Sequence, residues 1–115
     1  MSRIDGLSLL IRLKCSVEDM YQQNVVNNKL FKDELIEERA ILEAECNRLN
    51  QIFRDSMIDM DTFRSTWTWD KMQEVQDELF RFQFAVGTYT EKITEKIAEQ
   101  CRQIKQRLED DNKSQ

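Results

Sequence analysis

The sequence predicts an all-α protein built from long helices, arranged either as an antiparallel coiled-coil hairpin or as a three-helix bundle. Its 115 residues include no proline and only two glycines, so the residues that usually break helices are almost absent. Charged residues make up 34% of the chain and hydrophobic residues 40%, and the hydrophobic ones recur at steps of three and four. Apolar residues this numerous and this regular argue against a disordered chain.

The first half of the chain is predicted to be helical from about residue 7 to about residue 58. Its apolar residues follow helical spacing in two groups: Leu7, Leu10, Leu13, Val17, Met20 and Tyr21, and then Phe31, Leu35, Leu42, Cys46, Leu49, Phe53, Met57 and Met60. Ile36, Ile41, Ile52 and Ile58 lie beside the second group and widen its apolar stripe, which is typical of a helix with more than one neighbour.

An interruption is predicted as an alternative near residues 24–29, which include Asn27 and Asn28. Asparagine tolerates left-handed turn conformations and also caps helices, so a tight turn here would produce a three-helix bundle. No glycine or proline forces a break, however, and an unbroken helix would be about 75 Å long. We therefore favour the hairpin and keep the bundle as the alternative.

A turn is predicted at about residues 61–69, between the two long helical patterns. Side chains that compete with the helical backbone for hydrogen bonds cluster there, namely Asp61, Thr62, Ser65, Thr66 and Thr68. Both tryptophans of the chain, Trp67 and Trp69, lie at the end of this turn. We expect one of them to pack on the helix ends and the other to remain available to a partner.

The second long helix is predicted from about residue 70 to about residue 110, followed by a short disordered tail. Asp70 is the predicted N-cap, with Gln73 completing a capping box. The helix carries a heptad seam with one four-residue insertion near Ile97. The seam consists of Val75, Leu79, Phe82, Val86, Tyr89, Ile93, Ile97, Cys101, Ile104 and Leu108.

Phe80 and Phe84 lie outside this seam, so the apolar surface extends around much of the second helix. A two-helix hairpin could not bury both of them together with Phe82, so a third helix or another chain must cover them. Gly87 would suit a place where a neighbouring helix approaches closely. We predict partner binding by Trp67, Trp69, Phe80 and Phe84, and internal packing by Leu79, Phe82, Val86 and Ile93.

The composition argues against an enzyme. The chain has no histidine, which excludes the commonest general acid–base group and the Ser–His and Cys–His nucleophiles. The two glycines, Gly6 and Gly87, stand alone and form no phosphate-binding loop. We therefore predict no catalytic site, no cofactor and no small-molecule substrate.

The three cysteines are predicted to be buried, reduced side chains. Cys15, Cys46 and Cys101 are far apart and each falls on an apolar helical position. A zinc site would need a fourth ligand, and no histidine can supply it. Free thiols are typical of intracellular proteins, so we predict a cytoplasmic location, with a nuclear one as the alternative.

Charge and hydropathy bear on the class of partner. A net charge of −5 argues against nucleic acid, and no segment has the ~20 apolar residues that a membrane span needs. Arg12 and Lys14 interrupt the leucine-rich start, so we predict no signal peptide. Residues 31–61 contain nine acidic and four basic residues; we interpret them as a solvated face, with docking of a basic partner as the alternative.

These patterns predict a non-enzymatic structural or adaptor subunit of an intracellular multiprotein assembly. It would bind protein partners, or further copies of itself, through coiled-coil or helix packing. The alternative is a compact, monomeric three-helix-bundle module that recognises a single protein ligand.

Overall fold

A computed structural model of the chain describes residues 3–56 and 68–113, which form three α-helices and no strand. Helix α1 spans Arg3–Tyr21 and continues into a π-helical turn at Gln22–Val26. Helix α2 spans Ile36–Ser56, and helix α3 spans Trp69–Lys113. The predicted all-α class is confirmed.

The chain leaves the helical path after Val26 and re-enters it at Ile36, so the unbroken first helix that we favoured is not formed. Within this break, the Asn28 side-chain oxygen accepts a hydrogen bond of 2.9 Å from the Leu30 amide, the local turn expected of asparagine. Phe31 has a φ of 56°, a left-handed conformation uncommon for a bulky residue. Its ring packs against the core, and the Lys96 ammonium lies 5.7 Å from the ring centre. These contacts hold Phe31 in place despite its backbone strain.

Arg39, in the first turns of α2, fastens the break to the rest of the molecule. Its Nη1 atom donates to the Val25 carbonyl at 2.7 Å, to the Asn28 carbonyl at 3.1 Å and to the Tyr89 hydroxyl at 3.0 Å. Carbonyl groups at the end of a helix lack partners within the helix itself. One guanidinium therefore provides hydrogen bonds to carbonyl groups at the end of the π-helical turn and also joins α2 to α3.

Helix α2 runs antiparallel to α3. Lys92 of α3 pairs with Glu38 of α2 at 3.2 Å, and Glu78 of α3 lies 3.8 Å from Arg48 of α2, so residue numbers fall along one helix as they rise along the other. Just before α2, Glu34 pairs with Lys96 at 2.9 Å. Part of the acidic charge of residues 31–61 is thus neutralised by α3.

Helix α1 runs parallel to α3. Leu10 lies beside Met72 near the start of both helices, and further along the Tyr21 and Phe82 rings are 5.3 Å apart. The three helices thus pack side by side in an up-down-up arrangement.

The core forms where α1 and α2 pack on the first part of α3. The seam predicted for α3 is buried from Val75 to Ile93, which confirms that part of the pattern. Full burial of one such side chain contributes roughly 1.5–3 kcal/mol. The core residues are Leu10, Val17, Val25, Leu35, Leu42, Leu49, Ile52, Phe53, Met72, Val75, Leu79, Phe82, Val86, Tyr89 and Ile93.

Helix α3 continues well past the core. Its 45 residues would measure about 67 Å, and all side chains of residues 97–113, which we call the overhang, are exposed. The molecule measures 76 × 27 × 19 Å, with a radius of gyration of 20.4 Å, whereas a compact domain of this length would have about 13 Å. The elongated shape departs from the compact body expected of the alternative module.

Two details of α3 differ from the prediction. The N-cap is Thr68, whose hydroxyl accepts a hydrogen bond of 3.2 Å from the Lys71 amide, so Asp70 lies within the first turn, where its charge favours the helix dipole. The helix ends at Lys113, so residues 111–113 are helical rather than a disordered tail. Most of the predicted turn, including Trp67, lies outside the described residues.

The predicted burial of the cysteines is wrong for two of the three. Cys46 is half-buried, whereas Cys15 and Cys101 are exposed. Cys15 lines a surface depression between α1 and α2, and Cys101 lies on the overhang, where no described helix covers it. An apolar position in a helical pattern is buried only where a neighbouring helix reaches it.

Candidate partner-binding surface

Three phenylalanines at two-residue spacing on α3 have opposite environments. Phe82 points into the core and is 0% exposed, whereas Phe80 and Phe84 are 69% and 71% exposed. Two residues correspond to a rotation of about 200° around a helix, so Phe82 cannot share a face with the other two. The third helix does not cover Phe80 and Phe84.

Phe84 forms one wall of an apolar groove between α2 and α3. Ile41 of α2, which is 58% exposed, forms the opposite wall, and the ion pair between Glu38 and Lys92 lies at one end. The groove has a volume of about 250 Å³, and its other lining residues are Leu42, Ala85, Thr88 and Tyr89. We call this feature the Phe84 groove.

Gly87 does not line the groove, but it follows Phe80 by seven residues and Phe84 by three, so the three share one face of α3. A Cβ atom added at Gly87 would meet nothing within 4 Å. The close helix approach that we predicted at Gly87 is therefore absent within the described chain. The bare backbone at this position leaves room for an external helix to approach.

Trp69 begins α3 and is 70% exposed, but it is not part of the same apolar patch. Eleven residues, about 16 Å of helix, separate it from Phe80, and Gln73 and Gln76 lie between them. Trp69 instead borders a depression between the first turns of α1 and α3. The structure thus brings Phe80 and Phe84 together and leaves Trp69 apart, and partner binding by all of them stays a prediction.

The sequence reasoning missed the contribution of Ile41. It placed Ile41 in a broad stripe facing several neighbours, yet Ile36 and Ile41 are both exposed. The available signal was the position of Ile41 directly before Leu42, about 100° around the helix from a seam residue. A helical pattern shows which residues share a face, but it does not show how much of that face a neighbour covers.

A pair of carboxyl groups lies between α2 and α3. Glu78 is fully buried, and its Oε2 atom accepts hydrogen bonds from Arg81 Nη2 at 2.8 Å and Nε at 3.3 Å, with Arg48 Nε at 3.8 Å. Glu45 Oε2 and Glu78 Oε1 are buried and have no donor among the described residues. A proton on Glu45 would give the pair the donor that these oxygens lack.

The two carboxyl groups shift in opposite directions. A hydrogen bond to Glu78, burial and the Glu78 charge raise the pKa of Glu45. Burial acts to raise the pKa of Glu78, but hydrogen bonds from Glu45 and Arg81 outweigh it and lower that pKa below its usual value. The opposite shifts mean that Glu45 gives up its proton at a higher pH than Glu78 does.

We expect this pair to destabilise the fold as the pH rises above 4.5 and through the raised pKa of Glu45. A raised folded-state pKa stabilises the protein below the unfolded value of 4.5, and this stabilisation is lost as pH rises through the folded value. The lowered pKa of Glu78 stabilises the protein above pH 4.5, and this stabilisation is lost as the pH falls below that value. Thermal unfolding, followed by circular dichroism at pH values on both sides of 4.5, measures the two effects.

Glu45→Gln is the matched variant, because its amide can donate to Glu78 but does not titrate. We expect it to abolish the decline in melting temperature above pH 4.5 that Glu45 causes, and to preserve the decline below pH 4.5 that Glu78 causes. Tyr21 and Cys46 also have raised pKa values, chiefly through burial, but they titrate at higher pH than the carboxyl groups. An identical pH profile for the variant and the wild type would contradict the raised pKa of Glu45.

Comparison with known proteins gives no match to a protein-family model, to a curated protein or to a solved structure. Among the described residues, no group of three or more metal-ligating side chains comes together. Within the same ranges, no helix is both long enough and apolar enough to cross a bilayer.

Proposed function

We propose that this protein is a non-enzymatic structural or adaptor subunit of an intracellular multiprotein assembly. It binds a protein partner through helix packing at Phe80, Phe84 and Ile41. The observation that carries the proposal is the exposure of both phenylalanines although three helices are available to cover them. Large apolar side chains clustered on a surface are typical of interaction sites, and a buried aromatic anchor often dominates the binding energy.

The geometry of this surface suits a helix as the bound element. Phe80, Phe84 and Gly87 are spaced as one row along α3, and the Phe84 groove lies between two packed helices. The bare Gly87 backbone permits close approach, and each phenylalanine buried by the partner would contribute roughly 1.5–3 kcal/mol. The ion pair between Glu38 and Lys92 would lie at the polar rim of the interface with this partner helix.

Phe80→Asp and Phe84→Asp test the proposal. We expect each variant to lose assembly, because it places a charge where an apolar contact forms, and to keep its helicity, because both sites are exposed. The tagged chain is expressed in cells, and the mass of its native complexes is measured by size exclusion with light scattering. Helicity is measured by circular dichroism.

Gln76→Asp is the control, since it adds the same charge on the same helix outside the groove. It is expected to keep the wild-type complex mass. The proposal fails if the wild type runs as a free monomer of 13.8 kDa, or if both phenylalanine variants keep the wild-type complex.

The second candidate is a monomeric module that recognises a single protein ligand, and the up-down-up packing of three helices favours it. The two candidates differ in stoichiometry. A one-to-one complex measured by light scattering supports the module, whereas a particle with several chains supports the assembly subunit.

A further inference from the structure

The overhang carries a second apolar surface, separate from the Phe84 groove. Ile97, Cys101, Ile104 and Leu108 are all exposed and are spaced by four, three and four residues, as in the a and d positions of a coiled coil. We call these four residues the overhang seam. Ile97 follows the last buried core residue, Ile93, by about one turn. The seam is thus continuous with the stripe of α3 that α1 and α2 bury.

The edges of the overhang seam carry unpaired positive charge. With Cys101 at position a and Ile104 at position d, Lys105 and Arg107 occupy the flanking e and g positions, where interhelical ion pairs form. Neither makes an ion pair within the described ranges. By contrast, Arg102 on the outer face of the same stretch is paired with Glu99. The flanking e and g positions of the seam therefore carry only positive charge, although the overhang as a whole contains four acidic and four basic residues and the whole chain has a net charge of −5.

The break between α1 and α2 extends this surface at its inner end. Leu30 is exposed and borders a depression that also includes Gln100 of α3, so an apolar side chain of the break lies close to the start of the seam. Lys29 and Lys32 lie on the same rim and form no ion pair in the described part of the chain. Asp33 and Glu34 also line this depression, and Glu34 is paired with Lys96. A partner helix on the seam would thus meet further positive charge at this end.

We propose that the overhang seam docks an amphipathic helix of a partner protein, one whose apolar stripe is flanked by acidic residues. The two helices form a short two-stranded coiled coil that abuts the bundle. The partner's acidic side chains pair with Lys105 and Arg107, and its apolar residues cover Ile97, Ile104 and Leu108. The next d position after Ile104 is Asp111, so the apolar contact spans about 12 residues, roughly 17 Å.

A second copy of this chain fits the overhang seam less well. In a parallel coiled coil of two copies, Lys105 of one copy faces Gln100 of the other, and Arg107 faces Asn112. In the antiparallel register that pairs all four seam residues, Lys105 faces Ala98 and Arg107 faces Gln100. Neither orientation brings opposite charges together, whereas an acidic partner supplies them along both edges.

Two synthetic peptides of three heptads serve as probes. Both have isoleucine at a and leucine at d, and one carries glutamate and the other lysine at every e and g position. Fluorescence anisotropy with the full chain at low salt is expected to show at least tenfold tighter binding of the glutamate peptide. Added salt should weaken this binding, because exposed charge pairs are screened.

Variants of the chain locate the site. Ile104→Asp should abolish binding of the glutamate peptide, and the double variant Lys105→Glu, Arg107→Glu should reverse the preference toward the lysine peptide. Phe84→Asp is the matched control and should bind both peptides as the wild type does, which separates this site from the Phe84 groove. Equal affinity for the two peptides, no binding, or loss of binding in Phe84→Asp would each overturn the proposal.

Self-association is measured alongside by light scattering of the chain alone. A wild-type dimer that Ile104→Asp converts to a monomer would identify a second copy as the occupant and would also overturn the proposal. A wild-type mass that is unaffected by Ile104→Asp supports the acidic partner.

Discussion

Replacing Phe82 with alanine is expected to lower the free energy of unfolding by about 3–5 kcal/mol. Phe82 has no exposed surface, and its ring lies 5.3 Å from that of Tyr21 across the contact between α1 and α3. Truncation removes the apolar contacts and leaves a cavity that the surrounding helices fill only in part. Since domains of this size are stable by about 5–15 kcal/mol, the variant should unfold at a much lower denaturant concentration.

The neighbouring phenylalanines provide the controls. Phe80→Ala and Phe84→Ala remove the same atoms from exposed sites on the same helix and should change the unfolding free energy by less than about 0.5 kcal/mol. Urea denaturation of the purified chain, followed by circular dichroism, gives the three values. Similar losses in all three variants would contradict the placement of Phe82 in the core and of the other two on the surface.

Replacing Arg39 with methionine is expected to cost about 2–3 kcal/mol of stability. The substitution keeps an unbranched apolar stem but removes the charged donor shared by the Val25 carbonyl, the Asn28 carbonyl and the Tyr89 hydroxyl. Hydrogen bonds from a charged group are each worth about 1.5–3 kcal/mol, and acceptors left unpaired in a partly buried site add a penalty. The three bonds share one nitrogen, so their contributions are not additive.

Arg54→Met is the control, because Arg54 is exposed on the same helix. Hydrogen exchange adds a local readout: the amides of Glu34 and Leu35, which bond to the Phe31 carbonyl, should exchange faster in Arg39→Met than in the control. Equal stability and equal exchange in the two variants would show that Arg39 does not hold the break.

The periodicity of α3 was sufficient to predict its helix and its buried stripe as far as Ile93. Beyond that residue the same pattern continues but no longer means burial, since Ile97, Cys101 and Leu108 are exposed. Periodicity records which side chains share a face. The lengths and ends of the other helices decide which part of the face is covered, and those depend on where the first half of the chain breaks.

The position of that break was the main feature that sequence reasoning could not fix. Asn27 and Asn28 drew attention to the right region, but the absence of glycine and proline favoured an unbroken helix. What stabilises the break is a left-handed Phe31 and an arginine that bonds to groups 11, 14 and 50 residues away. Contacts at such sequence separations leave no local signal, and tertiary packing overrides helix propensity.

The candidate surface was predicted in part. Phe80 and Phe84 could be recognised because they fall outside the seam, and both are exposed. Ile41 could not, because its partner across the groove, Phe84, lies on another helix. The choice between Thr68 and Asp70 as the N-cap likewise depends on the orientation of two short side chains only two residues apart, and the structure selects Thr68.

Helix α3 is continuous from Trp69 to Lys113, so any two sites on it are held at a fixed distance and a fixed angle. Twenty residues separate Phe84 from Ile104, so the two sites stand about 30 Å apart at a fixed angle around a single axis. Two proteins attached at these points would be held at a set separation and orientation, without a hinge between them. Inserting a single residue into the helix between the sites would rotate one bound protein by about 100° relative to the other. The number of residues between the two sites therefore sets the geometry of the complex.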